Sequence, residues 1–223
     1  MNHYRFEMHF HTAEVSSCAT VSAAQSVGWY LNLGYSGIIV TDHYCRQHFE
    51  KNGEMDWRKQ IDGYLAGYDL AVETARDTGL TVLMGMEIRF DENGNDYLVY
   101  GISRKLLIDN PHLYEMTLHS FNVLARENNL MVYQAHPMRD GATITNPCHL
   151  DGVEVCNGCV RHDSRNDIAA MWAKKFDLQA IAGSDFHQPG DEGRGGLDFH
   201  QPVPDNETLV MLLSNQAYTL VIL

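Results

Sequence analysis

RFEMHFHTAEVSSCATVSAAQSVGWYLNLGYSGIIVTDH, residues 5–43, is the stretch whose reading decides the fold class. RFEMHFH at 5–11 reads as a strand. VSAAQSVGWYLNLG at 21–34 then reads as a helix closing at Gly34, where glycine adopts the left-handed cap that other residues resist. GIIVTDH at 37–43 follows as a short apolar strand. Strand, helix, strand in this order is the building unit of a parallel sheet.

Working outward, the same order recurs. Between Met55 and Gly79, the residues Ile61, Leu65, Tyr68, Ala71, Val72 and Ala75 recur at three- and four-residue spacings and define one apolar helix face. TVLMGMEIRF at 81–90 is a third strand. The Asn-Gly pair inside DENGND at 91–96 separates two strand-like runs, so a hairpin turn into YLVYGI locally interrupts the alternation. A helix over about 113–128, the strands LMVYQAHP and DGVEVCNG, a helix over about 164–176, and LQAIAGSDFH continue it; a last helix near 205–215 leads into AYTLVIL. Seven or eight strands, many apolar throughout, predict an α/β fold with a closed or distorted barrel; an open doubly wound sheet is the alternative. The 223 residues suit a single domain spanning 1–223.

Composition narrows the function classes. A formal net charge of −13 with no dense Lys/Arg stripe argues against nucleic-acid binding. An anionic substrate would need a local positive site, which divalent ions supply. The N-terminus lacks a basic segment followed by an apolar run, and no stretch of about 18 apolar residues occurs, so a cytoplasmic protein without a membrane partner is expected. Five cysteines form an odd set without an export signal, which speaks against a disulfide framework. The Cys156/Cys159 pair has redox or zinc spacing, but a single pair reads more readily as buried filler.

The informative regularity is the placement of polar residues. His9 and His11, Asp42 and His43, Glu87, His136, and Asp185 with His187 fall at or near strand C-terminal ends, while Asp96 opens its strand. In an α/β barrel those ends converge on one face, where active sites form. Residues two apart on a strand share a side, so His9 with His11, and Asp185 with His187, can each offer two donors to one ion. Phe10 and Phe186, between them, face the packing layer. A carboxylate such as Glu87 can bridge two ions, and imidazole with carboxylate suits Zn, Fe or Mn more than Ca.

HFHT at 9–12, TDH at 41–43, GMEI at 85–88, AHP at 135–137 and GSDFH at 183–187 together resemble the ordered motifs of the PHP (polymerase and histidinol phosphatase) superfamily. The resemblance spans residues 8–187. It implies a distorted seven-stranded (β/α) barrel with two or three divalent ions of Zn, Mn or Fe, and hydrolysis of a small phosphate monoester. Carried over by position, His9, His11, Glu87 and Asp185 hold one metal; Glu87 bridges to a second that His136 also binds. His43 and His187 hold a third. Asp42 orients its neighbour, and Glu154 and Asn157 line the pocket. Asp96 stands where many relatives have His, an oxygen donor that favours harder ions such as Mn. Relatives often supply an Asp or His to the third metal shortly after the first motif. This chain reads AEVSSCA there, leaving Glu14, Ser16, Ser17 or Cys18 as candidates.

The expected mechanism is attack on phosphorus by a hydroxide bridging the metals, with Arg161 and Arg194 clamping the non-bridging oxygens and His43 or His187 assisting the leaving group. The segment 140–147 and the insertion 45–56, with Trp57 beyond it, are expected pocket walls, and His162 and His200 pocket neighbours. Two rival readings stand beside this one. The same centre could hydrolyse an amide or ester, as barrel amidohydrolases do, or the chain could be a non-catalytic, polymerase-associated metal-binding module.

Overall fold

Strand β1 (Tyr4–Phe10) is buried along its last five residues, including Glu7 and His9 as well as Phe6, Met8 and Phe10, so both of its faces are covered. That double burial marks an internal barrel strand. The computed structural model describes residues 3–51 and 55–222. Helix α1 (Ala23–Asn32) begins where the Ser22 hydroxyl accepts the Gln25 N–H and stops before Gly34, whose φ of +76° is the left-handed cap. The chain returns as β2 (Gly37–Val40), parallel to β1 with Phe6 opposite Gly37.

After the two-residue β3 (His43–Tyr44) and the short helix α2 (Arg46–Glu50), the helical segment expected over 55–79 is two helices, α3 (Trp57–Tyr64) and α4 (Ala66–Ala75). They break at Leu65, and Gly67 beyond it lies so close to Thr12 that a Cβ there would meet Oγ1 at 2.0 Å. Strands β4 (Thr81–Arg89) and β5 (Asp96–Tyr100) form the antiparallel hairpin, with Arg89 opposite Asp96. Then follow α5 (Arg104–Asp109), a 3₁₀ turn at Leu113–Glu115, α6 (Leu118–Glu127) and β6 (Met131–Gln134). The helix expected from 113 starts later because Thr117 and Ser120 form a reciprocal cap. The remainder is β7 (Gly152–Asn157), α7 (Asn166–Phe176), β8 (Gln179–Gly183), β9 (Gly195–Phe199), α8 (Asn206–Ser214) and β10 (Tyr218–Ile222).

The sheet runs in the order β10, β9, β1, β2, β4, β5, β6, β7, β8, with β3 pairing β4 on its far end. Beyond β8 the chain rejoins β1: Phe186 N–H donates to the His9 carbonyl at 3.1 Å and His11 N–H to the Phe186 carbonyl at 3.0 Å. Seven strands, β1, β2 and β4 to β8, therefore wrap into a nearly closed barrel, and the open-sheet alternative is set aside. The distortion is β5, which runs antiparallel to both neighbours. Strands β9 and β10 extend the sheet antiparallel outside β1. Phe10 and Phe186 stack outside the barrel with ring centroids 5.0 Å apart, as their position between paired ligand candidates requires. Among the described residues, no helix is long and apolar enough to cross a membrane.

Candidate metal centre

Glu87, on β4, is the hub of the site. Its carboxylate oxygens lie 3.2 Å from His9 Nε2, 3.5 Å from His11 Nε2, 2.6 Å from His43 Nδ1 and 3.1 Å from His136 Nε2. Asp185 Oδ1 closes the other side at 3.4 Å from His9 Nε2 and 3.5 Å from His11 Nε2. The strand geometry explains the convergence: His9 and His11 leave β1 on one side, and β8 delivers Asp185 and His187 across the seam. Asp185 and His136 sit in the left-handed region at φ of 53° and 28°, a conformation costly for residues with a side chain and concentrated at functional sites.

Three of the imidazoles, His9, His11 and His187, are set by a partner on the ring's other nitrogen. His9 Nδ1 lies 2.9 Å from Glu154 Oε1, and Glu154 Oε2 accepts the His136 backbone N–H and the Asn157 amide. His11 Nδ1 lies 3.2 Å from Ser16 Oγ, which donates to Asp42 Oδ1 at 2.7 Å. His187 Nδ1 meets the Asp185 carbonyl at 2.9 Å. Asp42 does not face the cluster. It accepts from the Thr12 amide and hydroxyl and from Ser16, so it orients His11 through Ser16 more than it orients adjacent His43. Burial pushes the Asp42 carboxyl up to about 6 against those hydrogen bonds.

The electrostatics are those of a charge cluster awaiting compensation. Burial disfavours the His9 imidazolium, yet the carboxylates of Asp185, Glu154 and Glu87 raise its pKa well above the usual value. Burial together with the neighbouring His187 and His43 drives His11 well below it. Glu87 and Asp185, despite burial, are held well below the carboxylate range by the imidazoles around them.

These residues fit divalent ions. Four groups have ligand atoms within 4.8 Å of one another: His9, His11 and Glu87; His9, His136 and Asp185; Glu87, Asp96 and His136; and His11, His43 and His187. His9 Nε2 and His11 Nε2 are buried without a hydrogen-bond partner, a costly state that a coordinated cation relieves. All eight residues expected as ligands thus come together, Asp96 included. Asp96 is also gripped by Arg89, whose Nε and Nη2 donate to its two oxygens at 2.7 Å each.

A cavity of about 240 Å³ opens on the cluster, lined in part by Cys18, Arg139, Cys159, Arg161 and His162. A smaller one of about 110 Å³ adjoins it, sharing His43, Arg89 and Asp96, with Ser17, Cys45, Gln47, His48 and Lys51 on its far side. The expected wall from the 45–56 insertion is therefore present, although residues 52–54 of that segment lie outside the described residues.

Other expectations are corrected. Arg194 does not reach the cavity: its Nε donates to the Gly190 carbonyl at 2.6 Å, and its backbone leads directly into β9 rather than through an open loop. The segment 140–147 lines a separate hollow through Thr143, Ile144, Thr145 and Asn146. Trp57 packs on Phe49 and His112, away from both cavities, and His200 packs edge-on to His3. Glu14 caps α1 by accepting the Ala23 N–H. Arg161 does line the cavity, held at 2.5 and 2.6 Å by Asp191.

Sequence reasoning passed over Arg139, whose Nη2 donates to Asp185 at 2.8 Å and Asn157 at 3.1 Å. It also passed over Arg89, although a residue two beyond Glu87 on one strand had to share its side. The five cysteines are free, and burial pushes the Cys156 thiol up to about 11.

Comparisons with known proteins were made against this geometry. The PHP-associated family model matches residues 163–218. Among solved structures, a two-domain protein from Bacteroides vulgatus, described as containing a predicted PHP-like metal-dependent phosphoesterase, superposes with a TM-score of 0.70 at 20% identity, over 99% of this chain and 65% of its own. The chain thus shares its barrel fold with that protein, and its C-terminal segment matches the PHP-associated family. The chain spans under two thirds of the Bacteroides protein. PsfC from Pseudomonas syringae matches with a TM-score of 0.68 at 14% identity, over 100% of this chain and 93% of its own. An amidohydrolase from Chromobacterium violaceum, solved with bound sulfate and no metal, matches with a TM-score of 0.58 at 15% identity, over 96% and 97%. No curated protein matches the sequence.

Proposed function

We propose that this chain is a PHP-superfamily, metal-dependent hydrolase of small phosphate monoesters. The observation that carries the reading is the juxtaposition of the Glu87 hub, with its orphaned buried donors, and a cavity that presents the Arg139 and Arg161 guanidinium groups. Divalent ions bound by the eight converging ligands would supply Lewis acidity and make water nucleophilic at neutral pH.

The chain's own residues do the rest. Arg161 is braced by Asp191 and Arg139 by Asp185 and Asn157, so both offer pre-oriented N–H donors to phosphate oxygens. Glu154 fixes the His9 ring so that Nε2 faces inward. The narrow adjoining cavity gives the leaving group a polar bed, including Gln47, His48 and Lys51.

Hydrolysis of an amide or ester is the second reading, favoured by the likeness to the Chromobacterium amidohydrolase. The cavity arginines weigh toward phosphate. The test is release of inorganic phosphate from a panel of small phosphate monoesters by protein loaded separately with Mn, Zn and Fe. Turnover of cyclic amides or esters alone would establish the second reading, and bound metal without turnover of either class would leave a non-catalytic module.

A further inference from the structure

The triad His11, His43 and His187 differs from the other ligand groups in holding no carboxylate. Its rings are closely gathered, with His11 at 4.3 Å from His43 and 4.2 Å from His187 between centroids. His11 Nε2 is buried and unpartnered. With His11 given to this group and not to the ion of His9 and Glu87, three neutral imidazoles leave one corner of a tetrahedron and all of the ion's charge unanswered.

We propose that the Cys18 thiolate fills that corner, making an N₃S site. Cys18 shares the cavity wall with His43 and His187. The loop holds it there: Ala19 N–H donates to the Ser16 carbonyl at 2.9 Å, and Thr20 N–H donates to the His187 carbonyl at 2.8 Å. The other donors in the loop are engaged elsewhere. Glu14 caps α1, Ser16 bonds Asp42 and the His43 amide, and Ser17 lines the smaller cavity. On binding, the thiol releases its proton to solvent and the sulfur lone pair forms the bond.

The consequence is two unlike ion positions in one centre. The thiolate and three imidazoles select a soft ion such as Zn, whereas Glu87, Asp96 and His136 offer two carboxylates and one imidazole, which suit Mn. This inference rests on the reading of the cluster as a metal centre, but not on the reaction catalysed there.

Cobalt(II) loading of the full chain, followed by near-ultraviolet absorption, tests it without reference to activity. The wild-type chain is expected to show a thiolate-to-cobalt charge-transfer band that Cys18→Ser abolishes, with loss of one equivalent of bound cobalt. Cys159→Ser and Cys45→Ser remove the other thiols that line the two cavities and should keep the band. Circular dichroism verifies the fold of each variant, and exposed Cys18 is an easy position to replace. Cobalt binding without the band, or a band that survives Cys18→Ser, overturns the proposal while leaving the metal centre standing. No cobalt binding at all overturns both.

Discussion

Glu154 Oε1 meets His9 Nδ1 at 2.9 Å in a wholly buried contact, and that single relationship decides which nitrogen of His9 looks into the cluster. Removing it frees the ring and strands the His136 amide that the other Glu154 oxygen accepts. Glu154→Ala is expected to weaken metal binding by about 10- to 100-fold. Competition with a chromophoric chelator measures it, and wild-type affinity in the variant would remove Glu154 from the account of the site.

The two arginines expected from the sequence to clamp phosphate should separate by position. If Arg161 binds phosphate, Arg161→Ala raises KM about tenfold or more, the value of one charge-assisted hydrogen bond. Arg194→Ala, whose side chain bonds only the nearby Gly190 carbonyl, should leave KM and kcat unchanged. Steady-state kinetics on the best monoester decides the matter, and a larger defect for Arg194 than for Arg161 would reverse the assignment.

Gly183 is a packing prediction. A Cβ there would lie 2.5 Å from His9 Cβ and 3.0 Å from the His9 amide nitrogen, and the sheet leaves β1 no room to retreat. Gly183→Ala should cost roughly 1–3 kcal/mol through overpacking and should lower the bound-metal count, because the displaced residue is a ligand candidate. Thermal melts and metal analysis of the purified variant check both outcomes together.

Glu7 gives a pH prediction. Burial raises its carboxyl from 4.5 to about 6, although the amides of Ser184 and His9 and the Tyr30 hydroxyl oppose the shift. The folded state therefore binds the proton more tightly than the unfolded chain. The contribution to stability is full below about pH 4.5 and is lost as pH rises through about 6, a change of about 2 kcal/mol. Chemical denaturation of the metal-free chain between pH 4.5 and 7 should show this decline relative to Glu7→Gln, and parallel curves for the two proteins would refute it.

Much of the barrel and its ligands was legible because both rest on short periodicities. Alternation along β1 and the chain past β8 places His9 with His11 and Asp185 with His187, with Phe10 and Phe186 facing away, from two-residue spacing alone. Arg89 was equally legible by that rule, from Glu87. What spacing does not carry is the path of loops. Arg139 lines the cavity from a loop, and which of Glu14, Ser16, Ser17 and Cys18 lies beside His187 depends on distant hydrogen bonds such as Thr20 to His187. Arg194 failed for the opposite reason: the Gly-Gly pair that reads as loop is the start of β9, and paired backbone fixes its side chain outside the cavity. The helix break at Leu65 was hidden because an apolar face continues across it.

The barrel seam at Phe10 and Phe186 has a consequence for how the chain assembles. His9 and His11 stand on one lip of that seam and Asp185 and His187 on the other, so an ion held by His9 and Asp185 would rivet residues far apart in the sequence. β1 pairs early with β2, but its partner across the seam, Phe186, comes only late in the chain. An ion bound there would be the closing fastener of the barrel, and the metal-free chain would open first along this seam.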